Sequence, residues 1–325
     1  MLRAYGPGCS GQLIDAHVEK VPDGATWIDL EEPTREEEQL VERCIHVNVP
    51  TQDEMAEIEP SSRLYELNGA LYMTLSALSG VAQGLPSTSP IGFVLAHNRL
   101  VTVRYATPKP IRLFSDHVQR EPELANDGTN VLIRLLDAIV DRIADELESV
   151  AHEIEQISQH IFQKKIEDRR IPAARLTALL TRIGRVQSLL AKTRYSAVSA
   201  SRLLSFLNGS KHLHEEGRAN ERNHVGSIIT DVTSLNEHAS FLSENLTFLL
   251  DASLGLISVE QNAAMKLFSW AAVVFLPPTL IAGIFGMNFH YMPELDWRWG
   301  YPLSLLAMLA SGELPYFYFR RRGWI

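Results

Sequence analysis

Leu276-Pro277-Pro278-Thr279-Leu280-Ile281-Ala282-Gly283-Ile284-Phe285-Gly286-Met287-Asn288-Phe289 is the stretch on which the fold turns. Its apolar part belongs to an uncharged run from Leu267 to Phe285, 19 residues long. At about 1.5 Å per residue such a helix covers roughly the 30 Å of a bilayer core, so 267–285 is expected to span a membrane. A second apolar run, Tyr301 to Phe319, is interrupted only by Glu313 and stops at Arg320-Arg321-Arg322. Two spans joined by a short loop make a hairpin in the last sixty residues or so.

Working back from the hairpin, charge is segregated. Before Lys266 there are 36 Asp+Glu against 25 Lys+Arg, a net of −11; from Lys266 onward 3 acids face 5 bases, a net of +2. An acidic soluble part argues against nucleic acid as a partner and is compatible with attracting divalent cations, although many domains are acidic for solubility alone. Cys9 and Cys44 stand in no Cys-x-x-Cys spacing and read as ordinary thiols. Met1 to Gly8 contains no apolar signal-peptide core, so the soluble part is expected to stay in the cytoplasm. Lys266 before the first span and Arg320 to Arg322 after the second place both termini on the cytoplasmic side by the positive-inside rule. The intervening loop then faces outward.

The soluble part opens with strand signals. Trp27 to Leu30 reads as a strand, and Thr34 with Glu37 forms a capping box for a helix to about His46, whose Glu36-Glu37-Glu38 is a solvated first turn. Asn68-Gly69 between Arg63–Leu67 and Ala70–Leu75 marks a hairpin. A second is expected from Ile91–Ala96 and Leu100–Tyr105 around His97-Asn98-Arg99, with a loop over Gly84–Pro90. Gly128 to about Lys164 carries Leu132, Leu135, Leu136, Ile139, Ile143, Leu147, Val150, Ile154, Ile157 and Ile161 at helical spacing. Pro172 to about Leu207 is a further long helix, and His212-Leu213-His214-Glu215-Glu216 after it reads as a solvated turn. From Ala219 no proline intervenes until Pro277, so one helix of 67 residues, about 100 Å, is expected to run to Phe285. The fold class is therefore α+β: a small mixed sheet with helices, then long helices, a stalk helix and a C-terminal two-helix transmembrane hairpin.

One face of the long helix, taken in steps of three or four, reads Asp251, Gly255, Ser258, Asn262, Met265, Ser269, Ala272, Leu276, Thr279, Gly283 and then Gly286 to Asn288. A small and polar stripe serves either helix packing or the lining of an aqueous path. The polar end at Asn288 favours the path, because an amide at a span's outer mouth has no packing need. Neutral amide oxygens suit a hydrated Mg²⁺, which gives up water reluctantly, and release it where a carboxylate ring would hold it. His290 reads as loop surface. One two-span chain cannot enclose water, so several copies must surround an axis. Pro277-Pro278 is expected to kink or unwind the helix in mid-span.

The Gly286-Met287-Asn288 triplet, the Met292-Pro293-Glu294-Leu295 loop and the basic tail ending Gly323-Trp324-Ile325 resemble the CorA family of magnesium transporters. The resemblance extends back through Asn262 and is otherwise one of layout. It implies a homopentamer in a bacterial inner membrane, with Gly286, Met287 and Asn288 as the selectivity motif and Glu294 in the outer loop. It implies passive Mg²⁺ influx, with Co²⁺ and Ni²⁺ as secondary ions and cytoplasmic Mg²⁺ holding the pore shut. Asp251, Asn262, Met265, Phe268, Leu276, Thr279 and Gly283 become pore-lining candidates. For Met265, Phe268 and Leu276 gating stands beside plain packing, and Asp251 is equally a stalk surface residue. The family's sensing carboxylates match no positions here, so no regulatory metal ligand is assigned, and no cofactor is expected beyond the ion itself.

The layout that follows is 1–127, a cytoplasmic α/β domain; 128–218, its long helices; 219–266, the stalk; 267–285, the pore-lining span. The remainder is 286–300, an outer loop; 301–319, the second span; and 320–325, a basic tail. Glu313 is expected to pair with Lys266 or reach the interface. No phosphate loop, Gly-x-Ser-x-Gly or His-Glu-x-x-His is present, so an enzyme is not expected. A Zn²⁺ transporter of the same architecture and a membrane-anchored scaffold are the alternatives.

Overall fold

The structure is a computed structural model and describes every residue except 58, 163–172, 288–289, 294–296 and 323–325. The chain divides into two units, Met1–Ile166 with Ala178–Leu250, and Glu167–Thr177 with Asp251–Ile325.

The first unit is built on a seven-stranded mixed sheet. Its strands are β1 (Leu2–Gly6), β2 (Cys9–Ile14), β3 (Trp27–Glu31), β4 (Leu64–Leu67), β5 (Ala70–Ser79), β6 (Ser87–Ala96) and β7 (Arg99–Arg104). Their order is β2-β1-β3-β7-β6-β5-β4, and only β3 and β7 run parallel. Both expected hairpins are present. Asn68 and Gly69 take φ of 53° and 77°, and His97 and Asn98 take 48° and 64°, the left-handed pair that a two-residue hairpin turn needs. The second turn is thus one residue tighter than expected, with Arg99 already in β7.

Two further expectations are corrected. Ser87 to Pro90 belongs to β6 and not to a loop, because these residues pair with Ser76 to Ser79. Pro90 is tolerated there: it faces Ser76, whose N–H turns away from β6 to Ser199, and β7 ends its pairing at Ile91, so the missing amide costs no ladder bond. β1 and β2 form a further hairpin, closed by Gly6-Pro7-Gly8, ahead of the first strand that the sequence pattern predicts.

Helices cover both faces of the sheet. α1 (Arg35–Ile45) starts at the capping box of Thr34 and Glu37 and places Leu40, Val41 and Ile45 in one core cluster with Leu2, Ile28, Leu30, Val101 and Val103. The short α2 (Gln52–Ala56) adds Met55 to it, and α3 (Pro60–Arg63) leads into β4. On the opposite face lie α4 (Lys109–Arg120) and α5 (Gly128–Phe162). All ten periodic apolar residues from Leu132 to Ile161 are buried, the outcome that a 3.6-residue repeat demands. Trp27 stacks on Tyr5 at 4.3 Å, meets Phe114 of α4 at 5.5 Å, and donates Nε1–H to Thr102 Oγ1 at 3.0 Å.

α6 (Ala173–Gly209) ends in a 3-10 turn, Lys211–His214. The expectation of a solvated turn holds in part: Lys211, His214, Glu215 and Glu216 are exposed, but Leu213 is fully buried and His212 Nε2 lies 2.7 Å from Thr129 Oγ1. α7 (Ala219–Phe285) is a single helix of 67 residues, contributing Ala219–Leu250 to the first unit and Asp251–Phe285 to the second. α8 (Gly300–Arg321) completes the second unit.

Candidate functional site

The upper part of α7 contains an 18-residue window of mean hydropathy 1.9, none of it buried within the chain. So much exposed apolar surface is untenable in water and is what a lipid or an assembly partner covers. Among the described residues α7 is the one helix that meets the length and hydropathy of a span. α8 is long enough at 22 residues, but Glu313 and its tyrosines make it less apolar.

α8 packs on a defined side of α7. Trp270 lies 6.0 Å from Tyr316 and 6.3 Å from Phe319, and Gly312 approaches the carbonyl of Val274 and the ring of Pro278. Trp270, Val274, Pro277, Pro278, Ile281 and Phe285 are accordingly half-buried. Every member of the small and polar stripe, Asp251, Gly255, Ser258, Asn262, Met265, Ser269, Ala272, Leu276, Thr279, Gly283 and Gly286, is exposed. At about 100° per residue, Ala272, Leu276, Thr279 and Gly283 project roughly half a turn away from Val274 and Ile281. The chain's own second helix leaves these four residues uncovered.

The stripe splits into two surfaces. Leu276, Thr279, Gly283 and Met287 line one shallow groove with Leu280 and Ile284, of about 420 Å³. Asn262 and Met265 line another, of about 720 Å³, with Lys266, Trp270 and, from α8, Pro315, Tyr316 and Phe319. Asp251 and Phe268 are exposed and line neither. Asn288 and Glu294 lie outside the described residues. His290 is exposed, as loop surface is.

Local unwinding at Pro277-Pro278 does not occur, since α7 is helical throughout. The two prolines still remove the amides that Val273 and Val274 carbonyls would accept. Gly312, which the sequence offers no reason to single out, is the residue that lets α8 close on this point. Next to it, Thr279 Oγ1 donates to the Phe275 and Leu276 carbonyls at 2.9 and 2.8 Å, its single proton shared between them. With its proton so engaged, the hydroxyl presents only lone pairs outward. The expected Glu313–Lys266 pair is not formed: Glu313 is exposed, and among the described residues no ion pair involves it. Nor, among the described residues, do three or more His, Cys, Asp or Glu gather to hold a metal ion.

Residues 22–321 match the family described as CorA-like Mg2+ transporter protein. The chain belongs to this family. It is 32% identical over 301 residues to the magnesium transport protein CorA of Escherichia coli K12, covering 93% of this chain and 92% of that one. The corresponding protein of Salmonella typhimurium LT2 is 31% identical over the same span. Among solved structures, the complete CorA magnesium transporter of Methanocaldococcus jannaschii superposes with a TM-score of 0.77 over 100% of this chain and 98% of that one, at 20% identity. The full-length CmaX protein gives 0.67 over 96% and 92%, at 17% identity. At such identities these likenesses establish the fold: a mixed sheet with helices, one long helix and a C-terminal helix. CorA membership places the chain among membrane transporters and not among enzymes.

Proposed function

We propose that the chain carries Mg²⁺ passively into the cell, down its electrochemical gradient, through a path lined by α7 from several copies of itself. The observation that carries this reading is the exposure of the stripe from Ala272 to Gly283 on the side of α7 that α8 leaves bare. A helix that packs its apolar side on its own partner and keeps Thr279 and Gly283 free is suited to face water around an axis. Five copies, with α7 inside and α8 outside, follow from the CorA resemblance. Both termini then lie in the cytoplasm, and 286–300 faces outward.

Hydrated Mg²⁺ turns its water protons outward, so its first need is for acceptors. The Asn288 amide oxygens would supply these at the outer mouth, in the Gly286-Met287-Asn288 motif. Further in, Thr279 supplies them too, its own proton being engaged by the helix backbone. Met265, Phe268 and Leu276 are bulky enough to close such a path by excluding water. An inside-negative potential adds roughly 4.6 kcal/mol per 100 mV for a divalent ion, so no ATP is required. Co²⁺ and Ni²⁺, similar in size, are expected to follow the same path, and cytoplasmic Mg²⁺ to close it.

The test is flux of Mg²⁺, Co²⁺ and Zn²⁺ into liposomes holding the purified protein under an imposed voltage. Mg²⁺ entry that rises with inside-negative potential and is abolished by Asn288→Ala, with assembly intact, is the expected result. Voltage-independent flux, or full flux in Asn288→Ala, overturns it. Zn²⁺ flux well above Mg²⁺ flux would assign the chain to zinc instead.

A further inference from the structure

In the first unit a small basic cleft opens where α6 crosses the edge of the sheet. β4 covers β5 only from Ala70 to Met73, so Thr74 to Ser79 have an open edge on that side. One face of α6, Tyr195, Val198, Ser199 and Arg202, lies over this edge at the i, i+3, i+4, i+7 spacing of a helix. Ser76 N–H donates to Ser199 Oγ at 3.0 Å. From the end of α3, Arg63 donates Nη1–H to Ser76 Oγ at 3.3 Å and to the Tyr195 hydroxyl at 3.4 Å, and its Nε–H to the Glu57 carbonyl. The cleft enclosed by Arg63, Thr74, Tyr195, Ser199 and Arg202 measures about 70 Å³. Water takes about 30 Å³ per molecule, so one tetrahedral oxyanion fills the space of about two waters.

Two features define the ligand. Among the described residues no carboxylate forms an ion pair with Arg63 or Arg202, although the chain is acidic overall, at −9. Two guanidinium groups therefore converge uncompensated. The hydroxyls are also polarised one way: Ser199 already accepts from Ser76 N–H, and Tyr195 already accepts from Arg63, so the proton of each is free to be given. Beside the carbonyls of the open edge, the side chains offer donors and positive charge. A hydrated cation is repelled by the two guanidinium groups, and a neutral ligand leaves their charge unmet. The phenol of Tyr195 reports the same field: hydrogen bonding with Ser76, against partial burial, and then the bond and charge of Arg63 and the charge of Arg202 hold it below its usual range.

We propose that this cleft binds a phosphate group, held between Arg63 and Arg202 and hydrogen-bonded by Tyr195 and Ser199. The group is either free inorganic phosphate or the terminal phosphate of a nucleotide; the recognising chemistry is the same. Occupancy ties α6 to the end of α3 through groups from both helices, so it stabilises the folded first unit.

Thermal unfolding and calorimetric titration of the full-length protein in detergent, with inorganic phosphate and with ATP at fixed free Mg²⁺ and fixed ionic strength, test this. A saturable rise in Tm with phosphate is expected, and potassium chloride at equal ionic strength should give none. Arg202→Gln, an exposed substitution that leaves the fold intact, should weaken binding at least tenfold, with Arg202→Lys intermediate. ATP saturating tenfold or more below phosphate identifies the nucleotide as the source; equal or weaker ATP binding identifies free phosphate. The proposal is overturned if neither probe gives a saturable shift, or if Arg202→Gln binds as the unaltered protein does.

Discussion

Gly312 of α8 stands against the Val274 carbonyl of α7, at the place where Pro278 removes the amide that this carbonyl would otherwise accept. A Cβ on Gly312 would lie 3.4 Å from the Val274 oxygen and 3.6 Å from Pro278 Cγ. One methyl fits; a larger side chain does not. Gly312→Ala should therefore assemble normally, whereas Gly312→Leu should push α8 off α7 at a cost of about 1–3 kcal/mol. The thermal midpoint of the detergent-solubilised assembly distinguishes them, and equal midpoints would sink the argument.

The uncovered face of α7 predicts a pattern of chemical access. In a background with Cys9 and Cys44 replaced by serine, Thr279→Cys and Gly283→Cys should react with a membrane-impermeant thiol reagent. Ile281→Cys, on the half-buried side, should not. Reaction at position 281 but not at 279 and 283 would put the water on the wrong side of the helix.

Asp29 and Arg104 form the buried polar centre of the sheet. Arg104 Nη2 lies 2.8 Å from Asp29 Oδ2, with side chains 4% and 1% exposed, and Asp29 also accepts from Thr102 at 2.7 Å. Arg104→Met leaves a carboxylate unpaired in the core and should cost about 3–5 kcal/mol, or on the order of 10 °C in Tm. Asp29→Leu with Arg104→Met should restore much of it. A double variant no more stable than the single one would show that the charge was not the cause.

Glu31 shares that arginine. Burial raises its carboxyl, but the hydrogen bonds from Thr107 and Arg104 and the charges of Arg104 and Arg3 prevail and hold it below its ordinary value. Its contribution to stability is present above the unfolded pKa, about 4.5, and is lost as pH falls through the lower folded value. Glu31→Gln should flatten the acid limb of the stability profile between those points. An unchanged limb would exclude Glu31 as its source.

His212 gives a second pH dependence, nearer neutrality. Burial, together with the charge of Arg218 and against Glu215 and Asp127, holds its imidazole below the usual value. Its neutral ring is matched to Thr129, so stability should be full above about 6.5 and decline as pH falls through the lower folded value. His212→Gln should remove this decline in thermal melts between pH 7 and pH 5, and a decline of the same size in the variant would place its origin elsewhere.

Much of this protein is written in short stretches of its chain. The capping box at Thr34, the turn at Asn68-Gly69, the apolar repeat from Leu132 to Ile161 and the uncharged run ending at Phe285 each act over a few residues. Their energetics therefore belong to the local sequence, and the long helix was legible on that basis. α4 escaped notice because Pro108 caps it without a side-chain hydrogen bond, although Ile111, Phe114 and Val118 carry the repeat. Other features needed the assembled fold. The parallel pairing of β3 with β7, the burial of Asp29 against Arg104, the docking of His212 on Thr129 and the meeting of Arg63 with Tyr195 join residues 73 to 132 positions apart. Which side of α7 is bare was likewise settled by α8, because a stripe of small residues suits a partner helix and a water-filled path equally well. Local spacing determines that a helix exists and which residues share a face; only packing decides what that face meets.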